Sequence, residues 1–231
     1  MKYTFTLLPF FFCLLAACIA QDKTALTADE FEKGISKDSV QVLDVRTPGE
    51  YQSGHIKNAL LADWKDVKEF ERRISFIDKD KPVYVYCLAG GRSAAAAEKM
   101  RKEGYTKIYE LTGGINAWKA ASKKLEGVTA QPQMSLQSFN DSLMANKLVL
   151  VDFGAEWCPP CKKMEPVIKN VLTQNKTATL LKVNGGNDTE IMSKYGVTAL
   201  PVFIIFKEGK QIWRKEGVAT EKELLAQLQQ N

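Results

Sequence analysis

Short apolar runs and helix-spaced apolar positions alternate along the first half of the chain. Val40-Gln41-Val42-Leu43-Asp44-Val45 and Pro82-Val83-Tyr84-Val85-Tyr86 read as buried strands, and Lys107 to Leu111 as another. Helical spacing runs over Val67 to Ile77, Ser93 to Glu103 and Ile115 to Ala121. Upstream, Leu26-Thr27-Ala28-Asp29-Glu30-Phe31 opens a short helix, with Thr27 as its cap and Glu30 completing a capping box. Strands alternating with helices predict an α/β domain whose mostly parallel sheet is covered on both faces. Ligands in such domains sit beyond the carboxyl ends of strands, and Cys87 occupies one of those ends.

A polar stretch broken by glycine and proline, Glu126-Gly127-Val128-Thr129-Ala130-Gln131-Pro132, interrupts the pattern. Beyond it the spacing predicts a helix from Ser135 to Met144 and a strand from Leu148 to Phe153. A helix running on from Cys161 follows, then a strand from Thr179 to Val183 and a helix from Glu190 to Tyr195. Val202 to Phe206 and Gln211 to Lys215 form a hairpin across Glu208-Gly209, and Thr220 with Glu223 caps a final helix. The expected organisation is a signal segment at 1–20, one domain at 21–126, a linker at 127–133 and a second domain at 134–231.

The first twenty residues are set apart as a targeting segment. Lys2 gives a positive start, Phe5 to Ala17 is apolar yet short for a membrane span, and small residues follow. The mature protein is therefore expected to be exported, into a bacterial periplasm. Two processing sites fit. Leu15-Ala16-Ala17-Cys18 resembles a lipobox, which would make Cys18 the lipidated N-terminus of a membrane-anchored lipoprotein; Cys18-Ile19-Ala20 before Gln21 fits ordinary cleavage of a signal peptide.

Composition narrows the function classes. Across 231 residues, 45% are hydrophobic and 26% charged, which describes a soluble globular protein. The net charge of +5 is spread among both signs, and no basic run is interleaved with aromatics, so nucleic acid is not an expected partner. Of five cysteines, Cys13 and Cys18 belong to the leader, leaving Cys87, Cys158 and Cys161 in the folded part. A pair two residues apart in an exported protein points to redox chemistry. The third cysteine is then a reactive thiol, a partner for the pair or a small buried hydrophobe. One histidine, His55, and one cysteine pair do not make a zinc site, and no metal or cofactor is expected.

The chemistry around Cys87 follows from its surroundings. A chain turning from strand to helix can aim successive N–H groups at a sulfur, and the helix N-terminus adds positive potential. Gly90 and Gly91 permit the close approach such a cradle needs, and Arg92 adds a fixed charge able to receive an anionic substrate. The motifs of this half resemble the rhodanese family over Thr27 to Leu125. They are Leu43-Asp44-Val45-Arg46-Thr47-Pro48-Gly49-Glu50-Tyr51 with Gly54-His55-Ile56-Lys57-Asn58-Ala59, the loop Cys87-Leu88-Ala89-Gly90-Gly91-Arg92-Ser93, and Gly113-Gly114-Ile115-Asn116-Ala117-Trp118. The resemblance implies a sulfurtransferase in which Cys87 carries sulfane sulfur as a persulfide and Leu88, Ala89, Gly90, Gly91 and Arg92 bind substrate. The spacing Cys-x4-Arg is shorter than the Cys-x5-Arg of the related phosphatase and arsenate-reducing branch, and favours sulfur over a tetrahedral oxyanion. Leu88 stands where thiosulfate-using relatives often carry a basic residue, which counts against thiosulfate as the donor. Within these motifs His55 is read as structural, Trp118 as a core anchor, and Asp44, Arg46 and Glu50 as a hydrogen-bonded group supporting the loops.

In the second half, Val151-Asp152-Phe153-Gly154-Ala155-Glu156-Trp157-Cys158-Pro159-Pro160-Cys161 is a strand leading to two cysteines at a helix N-terminus, where unpaired N–H groups favour the Cys158 thiolate. It resembles the thioredoxin family, and the resemblance extends from Gln131 to Asn231. It implies a thioredoxin fold with a mixed sheet, and a redox-active disulfide in which Cys158 attacks and Cys161 resolves. Asp152 matches the buried proton-relay carboxylate, Lys182 its neighbour, and Leu200-Pro201-Val202 the cis-proline segment that pairs with substrate, with Trp157 in front of the cysteines. Gly154 stands where many thioredoxins have tryptophan, and Pro159 replaces their usual glycine.

Together these features predict an exported fusion of a rhodanese domain and a thioredoxin domain. In this reading Cys87 acquires sulfane sulfur, and the Cys158/Cys161 dithiol reduces persulfides or protein disulfides as an oxidoreductase. Its partners would be a sulfane-sulfur donor or persulfide, thiol or disulfide client proteins, and an external reductant. The alternative makes the rhodanese half a client-binding module beside a thioredoxin-type reductase.

Overall fold

The computed structural model describes residues 23–127 and 132–229. The expected signal segment, with Cys13 and the possible lipidation site Cys18, lies outside the described residues, as do residues 128–131 of the expected linker.

The first unit is a five-stranded sheet in the order β1-β5-β4-β2-β3, parallel throughout. Its strands are β1 (Ala25–Leu26), β2 (Gln41–Asp44), β3 (Ala59–Leu61), β4 (Val83–Tyr86) and β5 (Ile108–Leu111). Helices α1 (Ala28–Ile35), α2 (Pro48–Gln52), α3 (Val67–Ile74), α4 (Gly91–Lys102) and α5 (Gly114–Ala120) connect them. Side chains alternate across the pleat, so Val83 and Val85 pack with Phe70, Ile74 and Met100 of α3 and α4. Tyr84 and Tyr86 pack on the other face with Phe31, Ile115 and Trp118 of α1 and α5. Thr27 and Glu30 form the expected capping box, and Thr47 with Glu50 repeats it at the start of α2. Trp118 is a buried core residue, as its motif suggested.

The second unit is a mixed sheet in the order β7-β6-β8-β9, with β6 (Leu148–Gly154) parallel to β7 (Thr179–Asn184) and antiparallel to β8 (Val202–Lys207). The hairpin partner is β9 (Lys210–Glu216). Helices α6 (Leu136–Met144) and α8 (Thr189–Lys194) cover the face carrying Val151 and Phe153. Helices α7 (Pro159–Gln174) and α9 (Glu221–Gln229) cover the face carrying Leu150 and Phe203. Helix α7 begins two residues before the expected Cys161. Pro159 and Pro160 occupy its first turn, where the missing N–H groups have no intrahelical acceptor to lose.

The two units meet along the β3 edge of the first sheet. Parallel pairing turns the N–H of Ala62 inward to Asp44, so that of Leu61 points outward, where it donates to the Trp157 carbonyl at 2.7 Å. Arg73 of α3 donates to the outward Leu61 carbonyl at 2.9 Å, and its guanidinium lies 4.9 Å from the Trp157 ring centroid. The Tyr51 ring lies 6.1 Å from the same indole, so Trp157 sits between two side chains of the first unit. Arg72 donates to the carbonyl of Leu200 at 2.7 Å, and Gln52 to that of Gly186 at 2.6 Å. Glu69 holds both arginines; burial alone would push its carboxyl up, but those hydrogen bonds bring it below its ordinary range.

Candidate active site

Cys87 follows β4 directly and is only 1% exposed. The Gly90 N–H donates to its sulfur at 3.1 Å and the Ser93 hydroxyl at 3.4 Å. Gly90 has φ +106°, a backbone region that strains side-chain-bearing residues, and this turns its N–H back onto the sulfur. Burial raises the pKa of the Cys87 thiol, but hydrogen bonds from Ser93, Gly90 and Ala89 outweigh it and bring the thiol below its ordinary value. The Cys87 and Leu88 carbonyls accept from Ile115 and Asn116 at the start of α5, which fixes the loop from behind.

Leu88, Ala89, Gly90 and Gly91 form the loop as expected, with Leu88 exposed. Arg92 differs from the expectation. Its guanidinium makes two hydrogen bonds to Glu50, at 2.8 and 2.6 Å, so its charge is already matched. Arg92 holds the Glu50 carboxyl down at about 2. The anticipated trio of Asp44, Arg46 and Glu50 is thus divided. Asp44 and Arg46 form a fully buried ion pair at 2.6 Å, while Glu50 braces the Cys87 loop. His55 stacks on Tyr51 with centroids 3.8 Å apart, and burial lowers its pKa, which fits the structural role read for it. Ser93 donates directly to the sulfur and was not singled out from the sequence, although it stands in the quoted loop motif.

Cys158 and Cys161 are joined as a disulfide at the N-terminus of α7, and the Cys161 N–H donates to Cys158 Sγ at 3.3 Å. Asp152 pairs with Lys182 in register on β6 and β7. Burial raises the Asp152 carboxyl to about 6, against the lowering effect of Lys182. Pro201 follows a cis peptide after Leu200. All of these second-unit candidates therefore gather at the end of β6. Cys158 is 0% exposed and Cys161 9% exposed, and a cleft of about 860 Å³ between the two units reaches Asp152, Gly154, Cys161 and Lys182. Among the described residues no hydrogen bond, ion pair or ring contact joins the Cys87 loop to the cysteine pair.

Each half of the chain matches known proteins separately. The family model for the Rhodanese-like domain matches residues 27–121, and that for Thioredoxin matches residues 130–230. The uncharacterized protein YqhL of Bacillus subtilis is 39% identical over 47% of this chain and 84% of its own length. Thioredoxin of Chlamydia trachomatis is 37% identical over 40% of this chain and 89% of its own. A solved rhodanese-related protein from Thermoplasma volcanium is 29% identical, covering 45% of this chain and 97% of that one, with a TM-score of 0.40. The chain belongs to the rhodanese and thioredoxin families, one domain of each in that order. It is an enzyme, a thiol-disulfide oxidoreductase with a rhodanese-type sulfurtransferase domain, whose partners in general are thiol or disulfide clients and a reductant.

Proposed function

We propose that Cys87 carries sulfane sulfur as a persulfide and that the reduced Cys158/Cys161 dithiol removes it or reduces protein disulfides. The observation that carries this reading is the lowered pKa of Cys87 in a cradle of N–H and O–H donors. The Cys87 thiolate attacks a sulfane sulfur, and the donor leaves with the electron pair of the broken bond. Cys158 then attacks the outer sulfur of the Cys87 persulfide, returning Cys87 to its thiolate. Cys161 displaces sulfide from Cys158 and closes the disulfide, so two thiols are oxidised as one sulfane sulfur is reduced. The Arg92–Glu50 pair and the exposed apolar Leu88 favour a neutral or low-charge donor such as a hydropersulfide over thiosulfate.

The apolar start of the chain supports export to the periplasm, with Cys18 as a lipid anchor, and there the dithiol needs an external reductant. The mass of the mature N-terminus tests the localisation. The catalytic reading is tested by comparing sulfur transfer from several donors to the wild type and to Cys87→Ser. Transfer is expected to disappear in the variant while reduction of a protein disulfide persists; transfer that survives the substitution overturns the role of Cys87.

A further inference from the structure

The cysteine pair is open to the interdomain cleft on its Cys161 side. Cys158 is closed off; the carbonyl of the preceding Trp157 accepts from Leu61, and that of Leu200, in the same core cluster, from Arg72 of the rhodanese domain. Cys161 instead lines the interdomain cleft of about 860 Å³, beside Asp152, Gly154 and Lys182. Gly154 opens this side. A Cβ built there would lie 3.7 Å from Cys161 Sγ and 3.2 Å from an Asp152 carboxylate oxygen, so any larger side chain would cover both. The far wall is Tyr51, Gln52 and His55 of the rhodanese domain, which means the passage exists only while the two domains are docked.

We propose that the cleft admits a low-molecular-weight thiol or hydropersulfide, which reduces the disulfide by attacking Cys161 rather than Cys158. The proposal rests on the reading of Cys158/Cys161 as the working dithiol. The incoming thiol gives its proton to the Asp152 carboxylate, and its sulfur bonds to Cys161 Sγ. The Cys158–Cys161 bond breaks, and its electron pair leaves on Cys158 Sγ. That thiolate is a good leaving group, since it sits at the N-terminus of α7 with the Cys161 N–H 3.3 Å away. A second thiol attacks the small-molecule sulfur of the mixed disulfide. It releases Cys161, which takes a proton from Asp152, while the proton of the second thiol passes to Cys158. Two small thiols are oxidised to their disulfide and the protein gains two thiols.

The test mixes the oxidised full-length protein with glutathione, quenches with acid during the reaction, and locates the mixed disulfide by peptide mass. Glutathione on Cys161 is the expected result. Glutathione on Cys158 overturns the proposal but leaves the dithiol reading intact, whereas a disulfide resistant to both glutathione and dithiothreitol removes that reading as well. Gly154→Val supplies an independent arm. It is expected to slow reduction by glutathione at least fivefold, and an unchanged rate in a variant with wild-type thermal stability also overturns the proposal.

Discussion

The N–H of Leu61 donates to the carbonyl of Trp157 over 2.7 Å, so the edge of the rhodanese sheet is tied to the residue preceding the first redox cysteine. With Arg72 on Leu200 and Arg73 against the indole, this contact keeps Cys158 covered. Reaction of Cys158 with a large client requires the domains to part. Arg72→Glu removes one charge-assisted interdomain hydrogen bond, worth about 1.5 kcal/mol, and raises the parted population about tenfold. Alkylation of Cys158 in the reduced protein, followed by peptide mass, should accelerate to match; an unchanged rate would show that docking does not limit access.

Asp152 makes a prediction with a definite sign. Its carboxyl is raised from 3.8 to about 6 by burial, so the folded state holds the proton more tightly than the unfolded state. Its contribution to stability is fully present below about pH 4 and is lost as pH rises through 6. Asp152→Asn keeps the volume and cannot ionise. Urea unfolding should show the variant more stable than wild type by about 2 kcal/mol at pH 7.5, with the gain fading towards pH 4.

Glu50→Gln should release the Arg92 guanidinium from its two hydrogen bonds, leaving an unmatched positive charge beside Cys87. Steady-state kinetics with thiosulfate are expected to show KM falling several-fold, with little change for an uncharged persulfide donor. Equal effects on both donors would remove charge matching as the reason for selectivity.

The Asp44–Arg46 pair is fully buried, with the Arg46 guanidinium 5.6 Å from the Tyr86 ring centroid, and Arg46 also donates to the Gly54 carbonyl. Asp44→Ala strands the guanidinium and should cost about 3–5 kcal/mol in urea unfolding. Adding Arg46→Met should recover part of that loss, whereas simply additive losses would mean the two side chains act independently.

The chemistry was legible because it lies in short, contiguous segments. Strands long enough to show alternation, such as β4 and β6, match their expected bounds within a residue or two; Cys87 follows β4 directly, and Cys158 lies a short turn beyond β6. The contact between the domains was not legible. It uses Leu61 of a three-residue strand and Tyr51 and Gln52 of a five-residue helix, elements too short to show a period. Nothing local in the sequence marks Arg72 as an interface residue, since its acceptor, the Leu200 carbonyl, is 128 positions away. Glu50 was placed with the wrong arginine for the same reason: Arg92 is 42 positions distant, while Arg46 is a near neighbour in sequence.

The outward-facing backbone of β3 has a further consequence. An edge strand with a free N–H and C=O is a template on which another chain can add a strand, and proteins usually blunt such edges with charge or cover. Here the Trp157 carbonyl takes the N–H of Leu61 while Arg73 of the rhodanese domain's own α3 takes its C=O, so the thioredoxin turn and that helix together seal the sheet edge against self-association.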